Sequence, residues 1–280
     1  MSYARTAALT ILALAAFAGN SLLCRAALIR TQIDAASFTT VRLMSGALVL
    51  WLLVALRRRD DAGRGNWLSA LALFAYAASF SFAYLRLPAA SGALILFGAV
   101  QATMIAWGLR SGERLRLLQL AGLLLACAGL VGLLLPGLSA PPLESSLLML
   151  GAGMAWGVYS LRGKGAGDPL KVTSGNFLHA VPIALALSVL CWRDAIPDPM
   201  GVWYAFLSGA LTSGLGYAIW YTALPHLAST SAAAVQLSVP VLAALGAVAF
   251  LGEPLDLRLL AASGAIIGGI ALVILKPQKA

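Results

Sequence analysis

Two apolar runs between Ser208 and Leu257, broken at Leu224-Pro225-His226, constrain everything else in this chain. Each is about 20 residues long, enough for a helix to cross a hydrocarbon layer of roughly 30 Å. Neither run carries a charged side chain, yet Thr212, Ser213, Tyr217, Gln236 and Ser238 lie within them. An unpaired amide in hydrocarbon is costly, so a helix that meets only lipid has no use for a glutamine. The polar groups point to a path or a site beside these helices.

The pattern occurs twice. Phe82-Ala83-Tyr84-Leu85-Arg86-Leu87-Pro88 matches Ile219-Trp220-Tyr221-Thr222-Ala223-Leu224-Pro225. Downstream, Gly112-Glu113 matches Gly252-Glu253, and upstream Phe17-Ala18-Gly19 matches Ala155-Trp156-Gly157. The order is kept along the whole chain, and a long-period repeat in an apolar chain is typical of a transporter.

Of the 280 residues 61% are hydrophobic and 10% charged, against about 25% charged in a soluble domain. The chain is an integral membrane protein whose first partner is the lipid bilayer. Its net charge of +9 does not indicate nucleic acid, because the basic residues sit in short loops where they set topology. The N-terminal run is read as a first span rather than a cleaved leader, since it continues past Ala18 to Ile29 and has a counterpart in the second half.

Ten spans are expected, near Thr6–Ile29, Ser37–Leu56, Trp67–Leu85, Ala89–Leu109, Leu115–Leu135, Leu143–Leu161, Thr173–Trp192, Val202–Leu224, Thr230–Leu251 and Leu257–Leu275. The fold class that follows is all-α integral membrane, with ten transmembrane helices in two inverted five-helix repeats, residues 1–137 and 138–280. Five is odd, so the halves face opposite ways across a pseudo-two-fold axis in the membrane plane. Thirteen of the 19 basic residues fall on one side if the N-terminus is inside, in segments that include Arg57–Arg64, Arg110–Arg116 and Arg162–Lys171. Five fall outside: Arg25, Arg30, Arg86, Arg193 and Arg258. This bias predicts both termini in the cytoplasm and the Pro136–Pro142 linker outside. Spans five and ten, rich in Leu, Ala and Gly, are expected to be peripheral packing helices.

All ten acidic residues lie in loops or at span ends, so a carboxylate relay at membrane depth is not expected. Two ionisable residues remain within spans, Arg42 and His179. Arg42 marks a site or pathway, or else snorkels to the interface. His179 is a coupling group, or else a neutral imidazole bonded to a carbonyl. Tyr76, Phe80 and Tyr84 recur every four residues on one face of span three, with Ser79 beside them. Tyr217 and Tyr221 repeat the spacing with Trp220 adjacent, and Trp156 and Tyr159 lie three apart. Tyr and Trp also form belts at membrane interfaces, which suits Trp67, Trp192, Trp203 and Tyr204 at span ends. The rings deeper in their spans, including Tyr76, Phe80, Trp156, Tyr159, Tyr217 and Trp220, are read as cavity lining, with the two ring pairs Tyr76/Phe80 and Tyr217/Trp220 facing each other across the axis. The buried amides Asn20, Gln101, Asn176 and Gln236 serve either as interhelical glue or as ligand contacts, and Pro240 frees a carbonyl near mid-membrane.

Cys24, Cys127 and Cys191 show no metal spacing and are read as small buried hydrophobes. No phosphate-cradling loop and no nucleophile–base arrangement is present, so neither cofactor nor metal nor enzymatic activity is expected. His179 is the only base within a span that a membrane enzyme has to offer, and a non-transporting scaffold is the other rival reading.

The chain resembles the drug/metabolite transporter superfamily, and more closely its EamA-type exporters, in Phe38–Arg42 (FTTVR), Ala232–Leu245 (AAAVQLSVPVLAAL) and Leu251-Gly252-Glu253. It departs from strict symmetry at Val100, where the second half has Pro240, at His179 opposite Arg42, and after Glu113, which no proline follows. The resemblance implies a bacterial-type inner-membrane exporter. Its substrates would be small molecules, amino acids (aromatic ones included) or related metabolites, carried by alternating access. It also implies a central cavity lined by spans one, three, four, six, eight and nine.

Overall fold

The computed structural model describes residues 2–57, 64–112, 116–135, 140–163, 167–196, 198–223, 226–227 and 235–274. Among these the chain is all-helical, with ten helices. They are α1 (Tyr3–Arg30), α2 (Ala35–Arg57), α3 (Trp67–Ala83), α4 (Ala89–Arg110), α5 (Leu117–Leu134), α6 (Leu143–Gly163) and α7 (Pro169–Leu190). Helix α8 starts as Pro199–Leu207, widens into a π-helical stretch over Ser208–Leu215 and ends as Gly216–Ala223. Helix α9 runs Ser238–Gly246 and continues as a π-helical Ala247–Leu251, and α10 is Leu257–Ile274. The start of the ninth span at Thr230, most of the Arg57–Arg64 loop, the Pro136-Gly137 step and Glu113 lie outside the described residues.

Polar side chains fix where helices begin. Asp34 accepts from the backbone N–H of Ser37, Asn66 from that of Ser69, Asp168 from that of Leu170, Asp198 from that of Gly201 and Asp256 from that of Leu259. Each supplies an acceptor for donors that the first helical turn leaves unpaired. Pro169 and Pro199 sit in the first turns behind two of these caps, where their missing N–H costs nothing. This chemistry starts α7 and α8 earlier than hydropathy predicts. It also explains why the acidic residues gather at helix ends: most of those described work as caps.

The packing is two-fold. Helix α3 packs on α6 as α8 packs on α1, α4 packs on α6 as α9 packs on α1, and α3 meets α7 as α8 meets α2. Helices α2 and α7, α4 and α9, and α5 and α10 pair with their own counterparts. Exchanging the halves maps this pattern onto itself. The α5–α10 pair touches the remaining helices chiefly through α4. Cys24 is buried, whereas Cys127 is exposed on α5 and Cys191 is half-exposed where α7 ends. The expectation of three buried cysteines thus holds for one; a peripheral helix such as α5 turns most of its surface outward.

Candidate functional site

A cavity of about 460 Å³ lies between the two halves. Its lining comes from α1 (Phe17, Asn20, Ser21), α3 (Tyr76, Phe80), α4 (Leu96 to Met104), α6 (Trp156 to Gly163), α8 (Thr212, Ser213, Tyr217, Trp220, Tyr221) and Gln236, with Pro169 of α7 and Leu227 at its margin. From the middle of the bundle it runs toward the end where α6 stops and α7 starts. At the opposite end Phe80, Tyr84 and Leu87 are fully buried.

Aromatic rings form its central wall. Trp156 stands between Tyr76, at 4.9 Å centroid to centroid, and Tyr217, at 5.2 Å. Phe17 meets both Tyr217 and Trp220 edge-on at 5.9 Å. The expected Tyr76/Phe80 and Tyr217/Trp220 faces therefore do not meet directly; Trp156 bridges them, and Trp220 turns to Phe17. The amides of Gln101 and Gln236 line the cavity, and no hydrogen bond engages them among the described residues.

Five predicted site residues stand outside the lining. Arg42, 2% exposed, reaches from α2 behind the wall. Its Nε donates to Ser213 Oγ at 3.3 Å and a terminal nitrogen to the Tyr76 hydroxyl at 3.0 Å. The guanidinium carbon lies 4.9 Å from the Phe80 ring centroid and 5.2 Å from that of Tyr76. Arg42 thus stays at depth and does not snorkel outward. Asn176 accepts from the backbone N–H of Asn66 at 2.9 Å and its amide reaches the hydroxyl of buried Tyr159 at 3.5 Å, so both side chains tie helices together. His179 is bonded through Nδ1 to the Gly175 carbonyl of its own helix and packs against Trp67 at 4.7 Å. Ser79 is half-buried on α3.

The approach of α2 to α8 that places Arg42 depends on Gly209. A Cβ there would overlap Ser45 Oγ and the Arg42 carbonyl. The π-helical stretch around Gly209 carries Ser208, Thr212 and Ser213, all buried; π-helical insertions often mark functional sites. Phe17 and Ser21 were not predicted as site residues, although Phe17 lies three residues before Asn20 and four before Ser21, at helical spacing to both. Among the described residues no group of three or more His, Cys, Asp or Glu side chains gathers into a metal site.

The description of one family fits this chain twice over: the EamA-like transporter family matches residues 5–135 and again residues 144–275. The chain belongs to the EamA-like transporter family. It is therefore a multi-pass membrane transporter and not an enzyme. An uncharacterized protein of Pseudomonas aeruginosa is 58% identical over 271 residues, covering 96% of this chain and 94% of its own. The threonine/homoserine exporter RhtA of Escherichia coli K12 is 35% identical over 147 residues, about half of either chain, at 49% and 48%. The same exporter of Salmonella typhimurium is 34% identical over the same share. A crystal structure sharing 18% identity superposes with a TM-score of 0.68 over 97% of this chain and 98% of its own, which establishes the fold.

Proposed function

We propose that this EamA-family chain exports small amphiphilic metabolites, above all amino acids with apolar or aromatic side chains, by alternating access through the central cavity. The carrying observation is the lining itself. Its volume of about 460 Å³ falls within the roughly 300–1,000 Å³ of small-molecule sites. It presents ring faces beside neutral amides and hydroxyls, and no acidic side chain. Such a surface accepts an apolar side chain against the rings and a zwitterionic end against the polar groups. The partial likeness to threonine/homoserine exporters supports the same class. Both termini lie in the cytoplasm on this reading, so the cavity faces the side from which an exporter loads. With Cys24, Cys127 and Cys191 replaced by Ala, modification of an Arg64→Cys variant by an impermeant thiol reagent added outside intact cells would reverse that orientation.

Flux in sealed vesicles containing only this protein tests the reading. Wild type should release preloaded phenylalanine and threonine. Tyr217→Ala should slow phenylalanine by about three- to tenfold, because stacking contributes about 0.5–1.5 kcal/mol per aromatic pair, and threonine less. No amino-acid flux would sink the export reading. An unchanged phenylalanine-to-threonine ratio would make the rings packing residues.

A further inference from the structure

Among the described residues, Arg42 is the one buried cation whose own surroundings leave it unbalanced. Of the described acidic residues, Glu253 pairs with Arg25, Glu144 lies near Arg86, Asp34, Asp168, Asp198 and Asp256 cap helices, and Asp194 sits in the turn after α7. None approaches Arg42, and its Nη1 is buried without a hydrogen-bond partner. A guanidinium remains charged across the physiological range. A lone charge at this depth is tolerated only where something compensates it.

The hydrogen-bond directions around it identify that partner. The Tyr76 hydroxyl oxygen accepts twice, from Arg42 at 3.0 Å and from the Asn20 amide at 3.1 Å. The Asn20 amide nitrogen faces Tyr76 while its Oδ1 accepts from Ser208 at 2.7 Å. With its oxygen thus occupied, Tyr76 can only donate its hydroxyl hydrogen, and no acceptor among the described residues takes it. Ser213 likewise accepts from Arg42 and has no acceptor for its own hydrogen. Tyr76 and Ser213 both line the cavity. The wall therefore offers two donors, each polarised by the same guanidinium, on one side of the aromatic box. Donors backed by a fixed cation match an anionic oxygen pair and repel an ammonium.

We infer that the hydroxyls of Tyr76 and Ser213, backed by Arg42, form a carboxylate-binding subsite that orients the substrate in the cavity. The substrate's carboxylate supplies the counter-charge that the protein withholds, and its side chain is left against Trp156 and Tyr217. The inference rests on the export reading only for the remainder of the substrate. It makes a carboxylate, rather than an amine, the obligatory group.

Four matched probes test it by calorimetric titration of the purified protein in lipid nanodiscs: phenylalanine, phenylalaninamide, phenethylamine and 3-phenylpropionate. Phenylalanine and phenylpropionate should bind at least roughly tenfold more tightly than the other two, the scale of a hydrogen bond to a charged group. Tyr76→Phe and Ser213→Ala keep shape and should each weaken the two carboxylates by roughly tenfold while leaving the amide unchanged. Arg42→Lys should retain part of the preference and Arg42→Gln should abolish it. Equal binding of phenylalanine, its amide and phenethylamine would overturn the subsite while leaving an amino-acid carrier standing. Binding of phenylpropionate alone would keep the subsite and overturn the amino-acid reading. Binding of none of the four would overturn the subsite, as would a carboxylate preference that survives Arg42→Gln and Tyr76→Phe.

Discussion

At one end of the bundle Arg25 donates to Glu253 at 3.0 Å and to the carbonyls of Tyr84 and Leu85 at 2.9 and 3.1 Å, while Glu253 accepts from the Ala89 N–H at 2.7 Å. Five groups from α1, the α3–α4 connection and the end of α9 are thereby tied into one knot. At the other end Arg162 holds the position equivalent to Arg25 in the second half, by the spacing that relates Phe82–Pro88 to Ile219–Pro225. It donates instead to Ser69 Oγ at 3.1 Å and to Asn66 Oδ1 at 3.2 Å, which are neutral acceptors on a single neighbouring helix, α3. The first knot is mostly buried, with side chains 15% and 12% exposed, and it stands where the cavity is closed. Arg162 sits between Leu161 and Gly163, two residues of the lining. Near-equivalent sequences thus produce a charged, shielded closure at one end and a weaker, wetter contact at the other. In a two-fold protein the balance between open and closed ends rests on a few contacts of this kind, since the rest of the packing is shared by both halves.

Removing the charged closure should have the largest consequence. Glu253→Ala strands Arg25 with no counter-charge in a mostly buried site, a loss of about 3 kcal/mol or more. In a background with Cys24, Cys127 and Cys191 replaced by Ala, thiol labelling of Leu87→Cys, fully buried at this end, should then accelerate by at least roughly tenfold. An unchanged labelling rate would mean that the pair does not hold the end shut. The matching change at the other end, Arg162→Ala, removes two bonds to neutral acceptors, together worth about 1–2 kcal/mol. Labelling of Leu227→Cys in the same background should change no more than roughly threefold, because the cavity already reaches this end. Equal effects of the two substitutions would erase the distinction between the ends. The smallest effect belongs to Asp198, which joins two loops at the closed end. Accepting from the backbone N–H groups of Gln32 and Gly201 holds its carboxyl below the ordinary value of 3.8. A depressed folded value stabilises above the unfolded one and is lost as pH falls through the folded one. Asp198→Asn should therefore lower the melting temperature slightly at pH 7 and converge with wild type in strong acid. A difference that grew on acidification would contradict the assignment.

The architecture was largely legible because lipid imposes a length on every helix and the repeat relates one half to the other. What the apolar runs left out were the caps: Asp168-Pro169 and Asp198-Pro199 begin α7 and α8 well before the hydropathy rises. The site was legible in part. Helical spacing tells which residues share a face, and it grouped Tyr76 with Phe80 correctly. It does not tell how far along that face a cavity extends. Tyr84 shares the face but lies beyond the floor, its hydroxyl bonded to the Ala89 carbonyl. Nor does spacing tell which neighbour consumes a polar group. Asn176 goes to the Asn66 backbone and His179 to its own helix, whereas Gln101 and Gln236 remain free for the cavity. Ser213 was noted only as a polar group within an apolar run. Its place beside Arg42 depends on a π-helical stretch and on the close approach at Gly209, and neither has a signature in hydropathy.

The distribution of tryptophans makes the protein its own optical reporter. Of seven indoles, Trp51, Trp67, Trp107, Trp192 and Trp203 are exposed on the outside of the bundle, while Trp156 and Trp220 line the cavity. Brominated acyl chains, which do not enter the cavity, extinguish the outer five by collision and leave the inner two emitting. The remaining fluorescence then comes from rings that a substrate must touch, so occupancy can be followed as a colour and intensity change without attaching any label.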